Sequence, residues 1–254
     1  MTGLSAVIIT KNEERNIGRC IQSLKDVADD ILVVDSGSID RTEEICKEKN
    51  VRFHFHEWEG YKEQKNFANS LAKYPFILSI DADEALSDDL RASILGLKEN
   101  SQADGYEVNR LTNYCGKWIH YSGWYPDRKL RLFNRDKFEW GGEKIHEVVI
   151  PIQEDNKISR LQGDLLHYSY YSISEHISQA NHFTDLTAEL AVEKGKRSGL
   201  IKILFSPVFK FIRDYIFKLG FLDGYYGYII CRISAQATFL KYSKIKQIRK
   251  GLKN

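Results

Sequence analysis

Ile31-Leu-Val-Val34 runs straight into Asp35-Ser-Gly-Ser-Ile-Asp-Arg-Thr42, and that junction decides the fold. A short, unbroken β-branched run bounded by polar residues is the pattern of a strand buried on both faces, as in a parallel sheet. The residues after it read as a turn leading into a helix over Thr42 to Lys49. Upstream, Ala6-Val-Ile-Ile9 repeats the strand pattern, and Ile17, Cys20, Ile21 and Leu24 follow at helical spacing. Downstream, Val51 to His56 alternates as a third strand, Tyr61 to Lys73 reads as a helix, and Phe76-Ile-Leu-Ser-Ile80 as a fourth strand. Ser87 ahead of Asp88 and Asp89 opens a further helix, its acids complementing the helix dipole. Strands alternating with helices predict an α/β fold with a mostly parallel, doubly wound sheet. From Gly105 to Tyr168 the pattern is irregular and aromatic, with short strand candidates such as Lys129 to Phe133, and from Ile173 it is helical almost to the end. The expected organisation is a sheet domain over 1–170, in halves 1–104 and 105–170, and a helical extension over 171–254.

The chain has 254 residues, 43% of them hydrophobic, enough for a large core and unlike a disordered composition. A net charge of only +2 excludes a bulk nucleic-acid binder, although the C-terminal third is markedly basic. Cys20, Cys46, Cys115 and Cys231 are scattered with no Cys-x-x-Cys pair, which argues against a disulfide framework or a zinc site. The first ten residues do not read as a secretory leader. No apolar run approaches the ~20 residues of a spanning helix, so a soluble or peripheral protein is expected.

Polar clusters follow three of the buried strands: Thr10-Lys-Asn-Glu-Glu14, Asp35, and Asp81-Ala-Asp-Glu84. Ligands of open α/β sheets bind beyond the carboxyl ends of the strands. A single Asp there is usually a turn former or a cap, but three clusters at one sheet edge form a more specific signal. In an extended segment residues i and i+2 point the same way, so the Asp81 and Asp83 carboxylates are expected to face one cavity. They repel unless a proton or cation lies between them, and a hard divalent ion takes oxygens from carboxylates and phosphates alike. The alternative is a solvated acidic turn ahead of the helix at Ser87.

Val7-Ile-Ile-Thr-Lys-Asn-Glu-Glu14, Val33-Val-Asp-Ser-Gly-Ser-Ile-Asp-Arg-Thr42 and Leu78-Ser-Ile-Asp-Ala-Asp-Glu84 together resemble the inverting family 2 glycosyltransferases of the GT-A fold. Gly60-Tyr-Lys-Glu-Gln-Lys-Asn-Phe-Ala68, Lys129-Leu-Arg-Leu-Phe133, Ile145-His-Glu147, His167-Tyr-Ser169 and Gly220-Phe-Leu-Asp-Gly224 are similar to bacterial lipopolysaccharide-core glucosyltransferases. The resemblance implies a Rossmann-like GT-A domain with helices on both sheet faces, carrying a C-terminal helical extension. It implies a UDP-sugar donor, UDP-glucose in this subgroup, a divalent metal (Mg²⁺ or Mn²⁺), and a lipid-linked or lipopolysaccharide-core acceptor. Carried onto this chain, Thr10, Asn12 and Glu13 line the base and ribose, and Asp35 holds the uracil edge. Lys65 approaches the nucleotide or its phosphates, Asp81 contacts ribose or metal, Asp83 is the direct metal ligand, and His167 completes the metal site. Asp40 reads as a cap of the following helix, and a solvated helix lysine is the plainer account of Lys65.

An inverting transfer needs a base for the acceptor proton. Glu147 is the first candidate and Asp127 the second; a structural ion pair with Lys129 or Arg131 is the alternative for Glu147. His146 and Trp124 are candidate acceptor contacts, whereas core packing is the commoner use of Trp118, Trp124 and Trp140. Lys202, Lys210, Arg213 and Lys218 lie among Phe205, Phe209, Phe211, Tyr215, Phe217 and Phe221, the composition of a helix that rests on an anionic membrane surface or packs on its own domain. The expected location is cytoplasmic, peripheral on the inner face of the cytoplasmic membrane. Two other functions remain to be weighed. A sugar-phosphate nucleotidyltransferase would want glycines in the first loop, where none occurs until Gly18, and a non-catalytic membrane-associated binding module would not need the intact acidic residues.

Overall fold

The computed structural model describes residues 3–99, 102–143 and 146–251. They form two compact units, one of residues 1–110 with 127–168, the other of 111–126 with 169–254. In the first unit, β1 (Leu4–Thr10), β2 (Asp30–Asp35), β3 (Arg52–Phe55) and β4 (Phe76–Asp81) run parallel in the order β3-β2-β1-β4. The sheet continues through β8 (Asp127–Asn134), β6 (Gly105–Tyr114), β11 (Ile158–Tyr170) and β5 (Glu84–Leu86). The β4–β8, β8–β6 and β11–β5 pairs are antiparallel. Between the strands lie α1 (Ile17–Leu24), α2 (Thr42–Glu48), α3 (Tyr61–Ser70) and α4 (Asp88–Glu99), and β9 (Phe138–Glu143) pairs with β10 (His146–Pro151) as a separate ribbon.

The period of two along each parallel strand sorts the core onto two faces. Leu4, Ala6 and Ile8 of β1, Val33 of β2, and Leu78 and Ile80 of β4 pack with Ile17, Cys20, Ile21 and Leu24 of α1. Val7, Leu32, Val34 and Ile77 point the other way, toward Ala68 of α3 and toward Phe138 and Trp140 of β9. Full burial of each large aliphatic side chain is worth about 1.5–3 kcal/mol, so a one-residue register slip would exchange the two faces and forfeit most of that. Ser87 caps α4 as its sequence predicts: its hydroxyl accepts from the Leu90 amide at 3.2 Å and from the Asp164 amide of β11 at 3.0 Å. Gly163, at φ +89°, lets β11 approach that helix turn; a Cβ there would collide with the Leu90 backbone.

The stretch from Gly105 to Tyr168, irregular in sequence, is mostly antiparallel strand. β11 begins with three exposed residues and is half-buried over most of the rest rather than forming an apolar run, and β6 carries Glu107, Asn109 and Arg110 among its buried positions. Pairing to neighbours on both sides, not intrinsic pattern, holds these strands.

The second unit contains β7 (Lys117–Ile119), which pairs with Thr112–Tyr114, and the helices α5 (Ile173–Glu193), α6 (Leu200–Ile212) and α7 (Gly224–Arg249). A π-helical turn (Arg213–Phe217) and a 3-10 turn (Gly220–Asp223) join α6 to α7. The Gly220-Phe-Leu-Asp-Gly224 motif has a structural use here. The buried Asp223 carboxylate accepts from the amides of His120 and Tyr121 and from the Ser122 hydroxyl, at 2.9–3.1 Å. Tyr114, Trp124 and Tyr170 pack around His176, whose Nδ1 lies 3.0 Å from the Tyr114 hydroxyl, and Tyr226 packs edge-on against Tyr114. Burial pushes the His176 imidazole down to about 4. Above the ordinary histidine value both folded and unfolded chains hold it neutral. As pH falls through that value toward about 4, the unfolded chain takes up the proton first and stability drops. The loss should reach roughly 3 kcal/mol, and His176→Phe should flatten that part of a stability-versus-pH profile measured by urea denaturation. Parallel wild-type and mutant profiles across the window would exclude this role.

Candidate active site

In the first unit, the parallel register sets Thr10 beside Asp35 and Ile9 beside Asp81, so the carboxyl ends of β1, β2 and β4 lie side by side. The first two clusters knit to each other. Asn12, held at φ 55°, accepts from the Ile39 amide at 2.9 Å through its side chain and donates its own amide to Ser38 Oγ at 2.7 Å. Asp40 accepts from the Thr42 and Glu14 amides, and Glu13 donates its amide to Thr42 Oγ1, so Asp40 ties the first loop to the start of α2, while the cap position itself falls to Arg41. Asp35 is buried and shapes the turn after β2: it accepts from the Gly37 and Ser38 amides at 2.8 Å and from Ser38 Oγ at 2.5 Å. Thr10 Oγ1, buried beside it, has no hydrogen-bond partner.

Asp81 and Asp83 take different partners. Ala82 and Asp83 form a turn between β4 and β5, so the alternation of an extended segment does not apply to them. Asp81 faces two cations: Lys65 Nζ at 3.0 Å from Oδ1 and Arg131 Nη2 at 2.9 Å from Oδ2. Burial alone would raise the Asp81 carboxyl, but Lys65 and Arg131 outweigh it and hold it far below the usual carboxylate range. Asp83 instead meets His167, with Nε2 3.2 Å from Oδ2.

Lys65 is no solvated helix lysine. Its side chain is 4% exposed, its ammonium sits 4.3 Å from the centre of the Trp140 ring, and Glu147 Oε1 lies 3.7 Å away. Thus Glu147 pairs with Lys65, not with Lys129 or Arg131. The rest of the Gly60–Ala68 motif positions this lysine. Gln64 donates to Ser36 Oγ at 3.0 Å and contacts His56 Nδ1 at 2.8 Å, while Asn66 exchanges two hydrogen bonds with the Trp140 backbone. Asp127, the second base candidate, is engaged by Arg110 at 2.8 Å and Lys129 at 3.1 Å.

Sequence reasoning passed over two members of the cluster. Glu84 is almost fully buried; it accepts from the Asp81 amide at 2.9 Å and pairs with Arg131 at 3.2 Å. Arg131 is 4% exposed, and its Nε and Nη1 make no hydrogen bond. Both were visible as charges inside apolar strand segments, but nothing local in the sequence gives their partners. Tyr61 and Glu13 also face the acidic residues. Burial first, then Glu147, Asp81 and Asp83, raises the Tyr61 hydroxyl. Burial, with smaller contributions from Asp83, Asp40 and Asp81, lifts Glu13 against a hydrogen bond from Asn16.

The donor chemistry can be tested against a divalent ion. Among the described residues no three His, Cys, Asp or Glu side chains gather as an ion cage. Mg²⁺ or Mn²⁺ bound with a diphosphate does not need one, because one or two protein donors suffice when phosphate and water oxygens fill the remaining positions. Asp83 with His167 fits that requirement. The buried, unpartnered N–H groups of Arg131 and the Thr10 hydroxyl are groups that an anionic, oxygen-rich ligand would satisfy. Of the two acceptor candidates, the His146 side chain lies outside the described residues, and Trp124 belongs to the aromatic cluster of the second unit.

A family model described as Glycosyl transferase family 2 matches residues 5–149. The chain belongs to glycosyl transferase family 2. It is a glycosyltransferase with the α/β GT-A fold of that family. The matched span contains Thr10, Asp35, Lys65, Asp81, Asp83, Arg131 and Glu147, and His167 lies beyond it. Lipopolysaccharide core biosynthesis glycosyltransferase LpsC of Rhizobium meliloti is 35% identical over 96% of this chain and 92% of its own length. An uncharacterized glycosyltransferase of Rickettsia typhi is 31% identical over 98% and 88%. The solved structure of S. aureus TarS 1-349 in complex with UDP aligns at 15% identity with a TM-score of 0.46, covering 98% of this chain and 92% of that one.

Proposed function

We propose that this family 2 enzyme is a metal-dependent inverting hexosyltransferase that moves a hexose, glucose by the motif resemblance, from a UDP-sugar to a hydroxyl of a lipid-linked or lipopolysaccharide-core acceptor. The relative named for lipopolysaccharide core biosynthesis supports the acceptor class. One observation carries the chemistry: buried Lys65 lies 3.0 Å from Asp81 and 3.7 Å from Glu147, which joins the strand-end acids to a carboxylate fit to take a proton. Asp83 and His167 hold the metal, which when bound neutralises charge developing on the departing nucleoside diphosphate. Thr10, Asn12, Glu13 and Asp35 line the base and ribose, with the turn after β2 held rigid by Asp35. Arg131 turns its unpartnered N–H groups to the diphosphate. Glu147 Oε1 takes the acceptor hydroxyl proton as that oxygen attacks the anomeric carbon from the side opposite the leaving diphosphate. Asp127, already bracketed by Arg110 and Lys129, is left to position the strand end. Work on a lipid-linked acceptor places the enzyme at the inner face of the cytoplasmic membrane; among the described residues no helix is long and apolar enough to cross it.

Melting temperatures in the presence of UDP-, GDP- and CDP-sugars with Mn²⁺ test the donor. A ligand at a hundred times its Kd stabilises the fold by about 2.7 kcal/mol, so the UDP-sugar alone should give a clear upward shift. A larger shift with a GDP- or CDP-sugar would reassign the donor.

A further inference from the structure

α6 packs on α7 along one face, where Ile203 is buried, and leaves its opposite face open. Leu200, Ile201, Leu204, Phe205, Val208 and Phe209 lie on that open face with exposures between 55% and 76%. The spacing i, i+1, i+4, i+5, i+8, i+9 makes one continuous stripe on a helix. Ile216 and Phe217 extend the apolar surface beyond the helix at 53% and 75%. An exposed apolar stripe of this length marks a contact surface rather than ordinary surface scatter.

Its charges identify the contact. Between residues 194 and 222 the sole carboxylate is Asp214, which is 2% exposed and held by Lys210 at 2.6 Å and Arg213 at 2.8 Å. The outer surface of this segment therefore offers apolar side chains and cations, with Lys194, Lys196, Arg197, Lys202 and Lys218 exposed and no exposed acid among them. A second copy of the chain meeting this face would bring like charges together. An anionic lipid surface takes apolar side chains into its acyl boundary and cations at its headgroups.

We propose that α6 and the turn after it insert their apolar stripe into the interfacial layer of an anionic bilayer. The reading of a lipid-linked acceptor gives the attachment a purpose, but the surface itself rests on α6 alone. Because Lys210 and Arg213 are engaged by Asp214, insertion of Leu204, Phe205 and Phe209 carries more of the binding than the cations do.

Co-sedimentation with phosphatidylcholine vesicles, with and without phosphatidylglycerol, tests this at low and high salt. Wild type should pellet with the anionic vesicles, and high salt should weaken the binding without abolishing it. The triple variant Leu204→Ser, Phe205→Ser, Phe209→Ser should lose at least about a hundredfold in partition coefficient, since each side chain is a large apolar group. These positions are exposed, so its thermal melt should match wild type, and its melting shift with a UDP-sugar should persist. Phe209→Trp fluorescence should be quenched by brominated lipid. Wild type left in the supernatant, complete release by salt, a serine variant that pellets like wild type, or no quenching of the Trp each overturns the proposal. So does a wild-type dimer in light scattering that the serine variant splits while neither protein binds vesicles. A donor shift without vesicle binding would sink the insertion and leave the glycosyl-transfer reading standing.

Discussion

Asp83→Ala should lower metal-dependent transfer by ~10³-fold or more while the protein melts within ~1 kcal/mol of wild type. The two halves of that expectation come from different contacts. Asp83 contributes one side-chain pair, to His167 at 3.2 Å, on a carboxylate 27% exposed, and such pairs add little stability. Its carbonyl bond to the Tyr168 amide survives the substitution. The lost donor, by contrast, is one of the two, with His167, that the proposed site would offer the ion. Asp81 cannot serve as the same test. Removing it takes the shared partner from Lys65 and Arg131, whose side chains are only 4% and 5% exposed, and leaves these cations facing Glu147 and Glu84 alone, so the substitution would disturb the fold as well as the chemistry. An inactive Asp81 variant would report unfolding as readily as lost chemistry. Steady-state transfer at saturating Mn²⁺, with circular dichroism melts alongside, checks the Asp83 expectation; wild-type turnover of Asp83→Ala, or undiminished activity in EDTA, contradicts it.

Glu147→Gln should retain donor binding and lose transfer by about 10²–10⁴-fold, the usual contribution of a general base. The amide keeps the carboxylate's shape, and Lys65 keeps its closer partner, Asp81 at 3.0 Å, so the local structure should hold. Asp127→Asn should fall by less, because Arg110 and Lys129 already occupy that carboxylate. Rapid-quench transfer rates for both variants decide between them. An active Glu147→Gln beside an inactive Asp127→Asn would exchange the two roles.

The parallel half of the sheet was legible because Ala6–Ile9, Ile31–Val34 and Phe76–Ile80 are buried on both faces, and burial on both faces leaves a mark on composition. β6 and β11 left no such mark. Residues such as Glu107, Arg110 and Arg160 are tolerated there by partners distant in sequence: Glu107 with Arg160, and Arg110 with Asp127. The site divided the same way. Acids at strand ends announced themselves, but the burial of Lys65 and Arg131 is intelligible only once Asp81, Glu84 and Glu147 surround them. The i, i+2 alternation of a strand does not govern Asp81 and Asp83, because the chain turns at Ala82. The strand runs on to Asp81 and the turn follows at once, and the two carboxylates take different partners, Lys65 and Arg131 for one and His167 for the other.

If Asp83, with His167, holds a metal through which the nucleoside diphosphate is bound at the strand ends, UDP affinity must depend on the ion and on Asp83. Calorimetric titration of UDP into wild type and Asp83→Ala, each with Mn²⁺ and with EDTA, tests it without needing an acceptor. Wild type should bind UDP at least tenfold more tightly with Mn²⁺ than with EDTA, a difference of about 1.4 kcal/mol, and Asp83→Ala should bind equally weakly under both conditions. UDP affinity that is indifferent to Mn²⁺ in wild type, or a Mn²⁺ enhancement that survives in Asp83→Ala, would contradict the account.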